Sequence, residues 1–198
     1  MAETAKSVVA DDGRIRRMAS KQTTIELLYR VEAKAEIVDG EVVLMPAGGW
    51  RHGRVAGAIF VSLRAFEPHA GGGYALPDGV GFVVDLPHRW SFSPDAAFAL
   101  QPPTDEFVDG APVFAVEVRS PEDYGPAAER EMATKRADYF ATGSLVVWDV
   151  DFIREKVVRV FRANDPETPT TYRRGERAEA EPAVPGWSMP VADLSPPE

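Results

Sequence analysis

Cysteine is absent from the 198 residues, which excludes disulfide scaffolds, cysteine nucleophiles and thiolate zinc sites. Histidine occurs only three times, so a histidine-rich zinc centre is not expected. The sequence contains no apolar run of roughly 18 residues that would span a membrane. Its N-terminal stretch has no apolar core typical of a secretory signal. We therefore expect a cytoplasmic protein with no membrane partner.

Two common catalytic and nucleotide-binding motifs are missing as well. No G-x-S-x-G sequence occurs, so serine hydrolase chemistry on a strand–serine–helix turn has no support. The three glycines at 71–73 are not part of a phosphate-binding G-x-x-x-x-G-K-[ST] loop, because the lysine is missing.

Basic residues are in the minority, with 22 Lys and Arg against 31 Asp and Glu and a net charge of −9. This balance argues against a broad basic surface that binds nucleic acid through its phosphates. Four basic residues are nevertheless concentrated between Arg14 and Lys21. They form either a solvated arm or a local contact to phosphate or to a partner.

Glycine and proline are frequent, with 16 and 17 residues, which indicates many short elements joined by turns. We predict a flexible polar tail over residues 1–22, a single domain over 23–194 and a frayed C-terminus over 195–198. The expected fold class is α+β (mixed α/β), with a central mixed β-sheet flanked by two main helices.

Local signals place the main elements. Thr23 and Glu26 have the form of a capping box that starts a short helix. Asp39-Gly40 between two β-rich runs predicts a hairpin with a type I′ turn. Apolar spacing and turn residues predict helices over about 51–67 and 126–143, and strands over 81–86, 96–100, 114–118, 145–150 and 156–161.

Two carboxylates interrupt apolar runs. Glu117 stands inside FAVEV on the same strand face as Ala115, where it either faces solvent or is half-buried and needs a partner. Asp95 follows Pro94 before a short apolar run, although Pro-Asp is also a common turn pair. If the two strands are adjacent, Asp95 and Glu117 bring two oxygen donors to one point. Such a pair suits a hard cation such as Mg²⁺.

Lys135 lies near the centre of the apolar stripe of the second predicted helix, within about 60° of Ala128, Met132 and Tyr139 on a helical wheel. A lysine at this position either extends its stem towards solvent or holds its ammonium at the inner face beside an anionic partner. Glu36 and His52 are further polar candidates, at the first hairpin and at the start of the first long helix. A lone histidine there is either structural or a ligand.

Several segments, in their order and spacing, resemble the Uma-type restriction endonuclease family of the PD-(D/E)XK nuclease superfamily. These segments are AEIVDGEVVLMP, RHGRVAGAI, SPDAAF, FVDGAPVFAVEVRSPED, KRADYFATG, LVVWDVD and PGWSMPVADL. The resemblance extends over roughly residues 23–194. It implies a restriction-endonuclease-like fold and a Mg²⁺- or Mn²⁺-dependent endonuclease that hydrolyses DNA phosphodiester bonds.

Carried over position by position, the resemblance implies that Asp95 and Glu117 bind the metal and that Lys135 is the catalytic lysine. Glu36 would add an acidic contact near the metal. In metal-dependent phosphodiester cleavage, carboxylates hold the cation that polarises the phosphate, and a lysine stabilises the charge that develops.

Three further positions carry weaker implications. His52 would lie at the rim of the cleft, and Tyr139 would line the same cleft. The usual lysine of the superfamily stands two residues after the strand glutamate, where this chain has Arg119. A guanidinium supplies charge but does not carry a proton, so Lys135 from the following helix is the expected catalytic lysine.

The residues leave more than one function open. The alternative to a nuclease is a catalytically silent module of the same fold, used for binding or assembly. A smaller phosphoester or a nucleotide is a third class of substrate. For a nuclease, the negative net charge predicts weak, salt-sensitive DNA binding through local contacts. Candidate contacts are Arg51, Arg54, Arg119, Lys135 and the basic N-terminal arm. A homodimer would suit the cleavage of both strands.

Overall fold

The computed structural model describes residues 14–15 and 20–194. The predicted frayed end at 195–198 lies outside the described residues, as does most of the predicted tail over 1–22. Two parts of that tail are ordered differently from the prediction. Arg14–Ile15 forms a strand, and the first helix already begins at Lys21.

The described residues form three α-helices, which are α1 (Lys21–Leu28), α2 (Trp50–Phe66) and α3 (Pro126–Ala141). Short 3₁₀ turns follow at Glu67–His69 and Val191–Leu194. The strands are β1 (Arg14–Ile15), β2 (Ala35–Val38), β3 (Glu41–Leu44), β4 (Tyr74–Pro77), β5 (Phe82–Val83), β6 (Ser91–Phe92), β7 (Ala96–Ala99), β8 (Val108–Asp109), β9 (Phe114–Val118), β10 (Val146–Asp151), β11 (Val157–Arg162), β12 (Asp165–Arg173), β13 (Arg177–Glu179) and β14 (Ser188–Pro190).

Six strands form the central sheet in the order β12-β11-β10-β9-β7-β4. The β9–β10 pair is parallel and the other pairs are antiparallel, so the sheet is mixed as predicted. Smaller sheets are formed by β1-β3-β2, by β6-β5-β8 and by β13-β14.

The two long helices cover opposite faces of the central sheet. Ile59 of α2 belongs to the same apolar cluster as Val116 and Trp148, whereas Tyr139 of α3 clusters with Ala115 and Val147. Neighbouring residues of a strand point to opposite faces, so β9 and β10 are buried on both sides. The predicted arrangement of a mixed sheet between two main helices is therefore confirmed. None of the described helices has the length and apolar character needed to cross a membrane.

Two local predictions have different outcomes. The hairpin β2–β3 turns at Asp39 and Gly40 with φ of 52° and 75°, as a type I′ turn requires. The predicted capping box is wrong by three residues, because α1 is capped by Ser20. The Ser20 hydroxyl accepts a hydrogen bond from the Thr23 N–H at 3.3 Å and satisfies a donor of the first turn.

The strand predicted over 81–86 is shorter than expected, since only Phe82–Val83 forms a strand. Beyond it the chain folds back in a short loop, where the Val84 N–H donates to the Trp90 carbonyl and the Leu86 N–H to the Arg89 carbonyl. The loop also returns the chain towards the first hairpin, through a bridge between Val38 and Arg89.

Candidate active site

A row of charged side chains crosses the central sheet on the face covered by α3. Glu117 of β9 is paired with Asp149 of β10, which in turn is paired with Arg159 of β11. Asp95 stands immediately before β7, and its N–H donates to the Val116 carbonyl at 2.9 Å. Because β7 pairs with β9, Asp95 and Glu117 come from neighbouring strands. Side chains at paired positions share a face of the sheet.

Asp95 is buried, and several donors hold its carboxylate in place. Oδ2 accepts a hydrogen bond from the Val118 N–H at 2.7 Å and lies 3.1 Å from His52 Nε2. Oδ1 lies 2.5 Å from Lys34 Nζ. Burial by itself raises the pKa of Asp95, but His52 and Lys34 lower it well below its usual range. The carboxylate is therefore ionised and has a fixed orientation.

Glu117 presents one oxygen to the protein. Its Oε1 accepts a hydrogen bond from the Tyr139 hydroxyl at 2.7 Å and lies 2.9 Å from Lys135 Nζ. Its Oε2 has no hydrogen-bond partner among the residues that the structure describes, and the side chain is 25% exposed. Burial and the charges of Asp95 and Glu36 raise the pKa of Glu117 despite the opposing effect of Lys135.

Lys135 reaches inward from α3 to two carboxylates. Its ammonium lies 2.8 Å from Glu36 Oε1 and 2.9 Å from Glu117 Oε1. Burial favours the neutral amine, but the two carboxylates raise the pKa of Lys135, so the amine stays charged. Of the two interpretations of this lysine, the structure places the ammonium at the inner face beside anionic partners.

Glu36 lies behind Lys135 and supports it. Its side chain is 3% exposed, and its Oε1 also accepts a hydrogen bond from the Ser93 N–H at 2.9 Å. Its Oε2 accepts a hydrogen bond from Arg89 at 2.7 Å. Burial raises the pKa of Glu36, but Lys135 and Arg89 outweigh it and the pKa is lowered. Both oxygens of Glu36 are therefore engaged by Lys135, Ser93 and Arg89, and neither is free for a ligand.

Arg119 is close to Glu117 in sequence but is held by other partners. Its guanidinium donates to both oxygens of Asp149 at 2.7 Å and to Glu129 at 2.5 and 3.0 Å. Its guanidinium is thus engaged by Asp149 and Glu129, whereas the lysine that contacts Glu117 is Lys135.

The structure also places two residues at the site that sequence analysis missed. Lys34 Nζ links Asp95, at 2.5 Å, to Asp78, at 2.7 Å. Lys34 precedes β2 and Asp78 follows β4, and neither position interrupts an apolar pattern. A contact between residues so far apart in the chain leaves no local signal in the sequence.

Most of these side chains line a cleft of about 600 Å³, a size typical of clefts that bind small molecules or cofactors. Glu36 and Tyr139 are buried and are not among the residues that line it. The charged lining includes Lys34, His52, Asp95, Glu117, Lys135 and Arg136. Acidic and basic groups thus face the same space, an arrangement that can hold a cation and an anion together.

The donor set determines which metal the cleft could hold. Over residues 20–194, no group of three or more Asp, Glu or His side chains is arranged to bind a metal ion. Asp95 and Glu117 supply two carboxylates, and Mg²⁺ commonly binds to one or two carboxylates with water and substrate phosphate as its other ligands. The residues therefore fit a metal shared with substrate better than a metal enclosed by protein.

The chain is similar to known proteins in its fold and in its sequence. No curated protein matches the chain. The fold is similar to the crystal structure of a "putative nuclease belonging to DUF820" from Anabaena variabilis, with a TM-score of 0.66 and 14% sequence identity, over 86% of this chain and 96% of that chain. At this identity the similarity shows the fold alone. The sequence model of the Uma2 family, described as "Putative restriction endonuclease", matches residues 24–192. The match covers most of the chain, which therefore belongs to the Uma2 family.

Proposed function

We propose that the protein is an endonuclease that hydrolyses DNA phosphodiester bonds with Mg²⁺ or Mn²⁺ as cofactor. The main support is the placement of Asp95 and Glu117 on neighbouring strands in one cleft, with the Lys135 ammonium 2.9 Å from Glu117. Membership of the Uma2 family supports the same reaction class.

Asp95 and Glu117 would hold the metal. A cation bound there would polarise the phosphate and lower the pKa of a bound water. The Val118 N–H fixes Asp95, and the Tyr139 hydroxyl holds Oε1 of Glu117, which leaves its Oε2 for a ligand in the cleft. A preformed pair of this kind loses little entropy when the metal and substrate bind.

Lys135 would act on the phosphate. In hydrolysis, a water oxygen forms a bond to phosphorus and loses a proton, the bond to one sugar oxygen breaks, and that oxygen gains a proton. Negative charge accumulates on the phosphate oxygens during the displacement. A fixed ammonium stabilises this charge without reorganisation, and Glu36 keeps Lys135 in place.

The proposal is tested by a plasmid-nicking assay with Mg²⁺ or Mn²⁺, with and without EDTA. Cleavage should require the metal and should fall about a hundredfold or more in the variants Asp95→Asn, Glu117→Gln and Lys135→Ala. Asp109→Asn serves as a matched control, because Asp109 is exposed and lies outside the residues that line the cleft. Absence of cleavage with either metal, or equal cleavage by the three variants, would contradict the proposal.

One observation favours the catalytically silent alternative. The Lys34 ammonium already lies against Asp95 and would compete with a metal for its Oδ1. Titration calorimetry with Mn²⁺ separates the two functions. A nuclease should bind Mn²⁺ in the wild-type protein and lose this binding in Asp95→Asn and Glu117→Gln, whereas a silent module should show no Mn²⁺ binding.

The substrate and the assembly need separate tests. A panel of nucleotides and small phosphodiesters would distinguish a DNA nuclease from a hydrolase of smaller phosphoesters. For the homodimer that would suit cleavage of both strands, sedimentation with and without DNA duplex would show whether two copies associate.

A further inference from the structure

Three arginines converge on one buried carboxylate beside the candidate active site. Asp149 is 3% exposed, and Arg119 donates to both of its oxygens at 2.7 Å. Nitrogens of Arg136 and Arg159 lie 3.8 and 3.9 Å from Asp149 Oδ2. These two separations are longer than a hydrogen bond, so the hydrogen bonds to Asp149 come from Arg119.

The nearby glutamates do not supply the missing partner for Arg136. Glu129 pairs with Arg119 at 2.5 Å, and Glu155 pairs with Arg159 at 2.7 Å. Within residues 20–194, the Arg136 guanidinium donates no hydrogen bond, although it carries five N–H donors. Burial and the charge of Arg119 lower the pKa of Arg136 and outweigh the carboxylates of Asp149, Glu129 and Glu167, which raise it.

The position of Arg136 is nevertheless well defined. Its guanidinium lies 4.0 Å from the centre of the Phe161 ring, and its side chain is 16% exposed. A cation–π contact of this kind restricts the orientation of the guanidinium plane. Arg136 thus presents a restrained group of donors that the described protein atoms leave unused.

Arg136 belongs to the lining of the cleft, one strand beyond Glu117. Arg136 and Glu117 both line the cleft. Asp149 is paired with Glu117 on strands about 4.8 Å apart, and Arg136 lies on the Asp149 side of this pair. Successive phosphates of one DNA strand are about 3.4 Å apart along the helix axis. A phosphate one or two nucleotides from a phosphate at Glu117 therefore comes within reach of Arg136.

We propose that Arg136 forms a second phosphate-binding site, which holds a backbone phosphate of DNA next to the phosphate that a metal at Asp95 and Glu117 would hold. This inference rests on the proposed nuclease function. The planar guanidinium matches two phosphate oxygens at once, and Phe161 holds the plane ready for them. The ion pair between Arg119 and Asp149 lies beside Arg136, whose guanidinium is 3.8 Å from Asp149 Oδ2.

The test measures DNA binding without metal, so that no cleavage is needed. Fluorescence anisotropy of a short labelled DNA duplex, and of its single strand, is recorded in EDTA over a range of salt concentrations. The proteins are the wild type, Arg136→Gln, Arg136→Lys and the control Arg130→Gln. Arg130 is on the same helix but is exposed and lies outside the cleft, so this control removes the same charge.

Arg136→Gln should bind DNA about tenfold more weakly. Its slope of log K against log salt should fall by about 0.9 for duplex or about 0.7 for single strand, because one phosphate contact is lost. Arg136→Lys should keep the slope of the wild type but bind several-fold more weakly, since an ammonium makes no bidentate contact. Arg130→Gln should bind like the wild type.

The inference is overturned if Arg136→Gln and Arg130→Gln agree in affinity and slope, or if the wild type binds neither form of DNA at low salt. If circular dichroism shows that Arg136→Gln does not fold, the DNA affinity of Arg136→Lys becomes the test. An affinity equal to that of the wild type then overturns the inference. The two proposals fail separately. If the wild type binds DNA through Arg136 but cleaves none, only the nuclease function is refuted. If the wild type cleaves DNA and replacement of Arg136 does not change its DNA binding, only the second site is refuted.

Discussion

Replacement of Lys135 by methionine would remove a cation that lies between two carboxylates. Lys135 Nζ is 2.8 Å from Glu36 and 2.9 Å from Glu117, and the three side chains are 13%, 3% and 25% exposed. Removal of one partner from a buried ion pair destabilises a protein by about 3–5 kcal/mol. Glu36 keeps its bond to Arg89 and Glu117 keeps its bond to Tyr139. We therefore expect a loss of about 3 kcal/mol at neutral pH, at the lower end of that range.

This loss should depend on pH, because ionised carboxylates cause it. In the wild type, burial raises the pKa of Glu36, but Lys135 and Arg89 lower it below the ordinary value of 4.5. The stability that a lowered pKa provides is present above the unfolded pKa and disappears as the pH falls through the folded pKa. Glu117, whose pKa burial raises, becomes neutral at a higher pH than Glu36. The difference between wild type and variant should thus be full near pH 7.5 and smaller near pH 4.

Urea unfolding at both pH values measures this difference. Arg130→Met is the matched control, because it removes a charge from the exposed side of the same helix and should change the free energy of unfolding by less than about 0.5 kcal/mol. An equal loss for Lys135→Met at pH 7.5 and pH 4 would indicate a packing effect and would refute the reasoning. So would a loss of less than about 1 kcal/mol at pH 7.5.

Three other predictions concern stability. The hydrogen bond to Asp95 raises the pKa of His52. The contribution of His52 to the free energy of unfolding is therefore present below about pH 6.5 and is lost as the pH rises through the folded pKa. Urea unfolding from pH 6 to 9 should show this decline in the wild type and not in His52→Gln. Asp149→Asn should lower the free energy of unfolding by about 3 kcal/mol, because three guanidinium groups lose their shared carboxylate, and thermal unfolding indistinguishable from wild type would contradict this. Gly40→Ala should destabilise the protein by about 1–2 kcal/mol because Gly40 has a φ of 75°. Gly57→Ala in α2, where a Cβ contacts nothing within 4 Å, should stabilise it by about 0.5–1 kcal/mol. A shift of the same sign in both urea midpoints would show that backbone conformation is not the cause.

The net charge of −9 limits DNA binding but is compatible with it. Part of this charge belongs to Asp95 and Glu117, which a divalent cation would neutralise, and other acidic groups are paired with the arginines around Asp149. Attraction for a phosphate would therefore come from individual cations, such as Lys135 and Arg136 in the cleft. This expectation agrees with the weak, local and salt-sensitive binding that the composition predicts.

Local signals in the sequence were sufficient where short-range physics determines the structure. Asp39-Gly40 turns the first hairpin because both residues must adopt positive φ. Lys135 faces inward because helical periodicity places it on the apolar side of α3, whatever its eventual partners are. Asp95 and Glu117 were identified because each carboxylate interrupts an apolar run, and a buried charge requires a partner.

Only the tertiary structure decided which side chains meet. Lys34 reaches Asp95, Glu36 supports Lys135, and Arg119 is bound by Asp149. Each of these contacts joins residues at least 30 positions apart, so none leaves a periodic or local signal. The sequence by itself predicted Asp95, Glu117 and Lys135 as candidate residues, together with the elements that carry them. The order of strands in the sheet decided their arrangement, because it places side chains from distant segments in one row. In this row the carboxylates of the candidate metal site lie at one end and the arginines around Asp149 at the other.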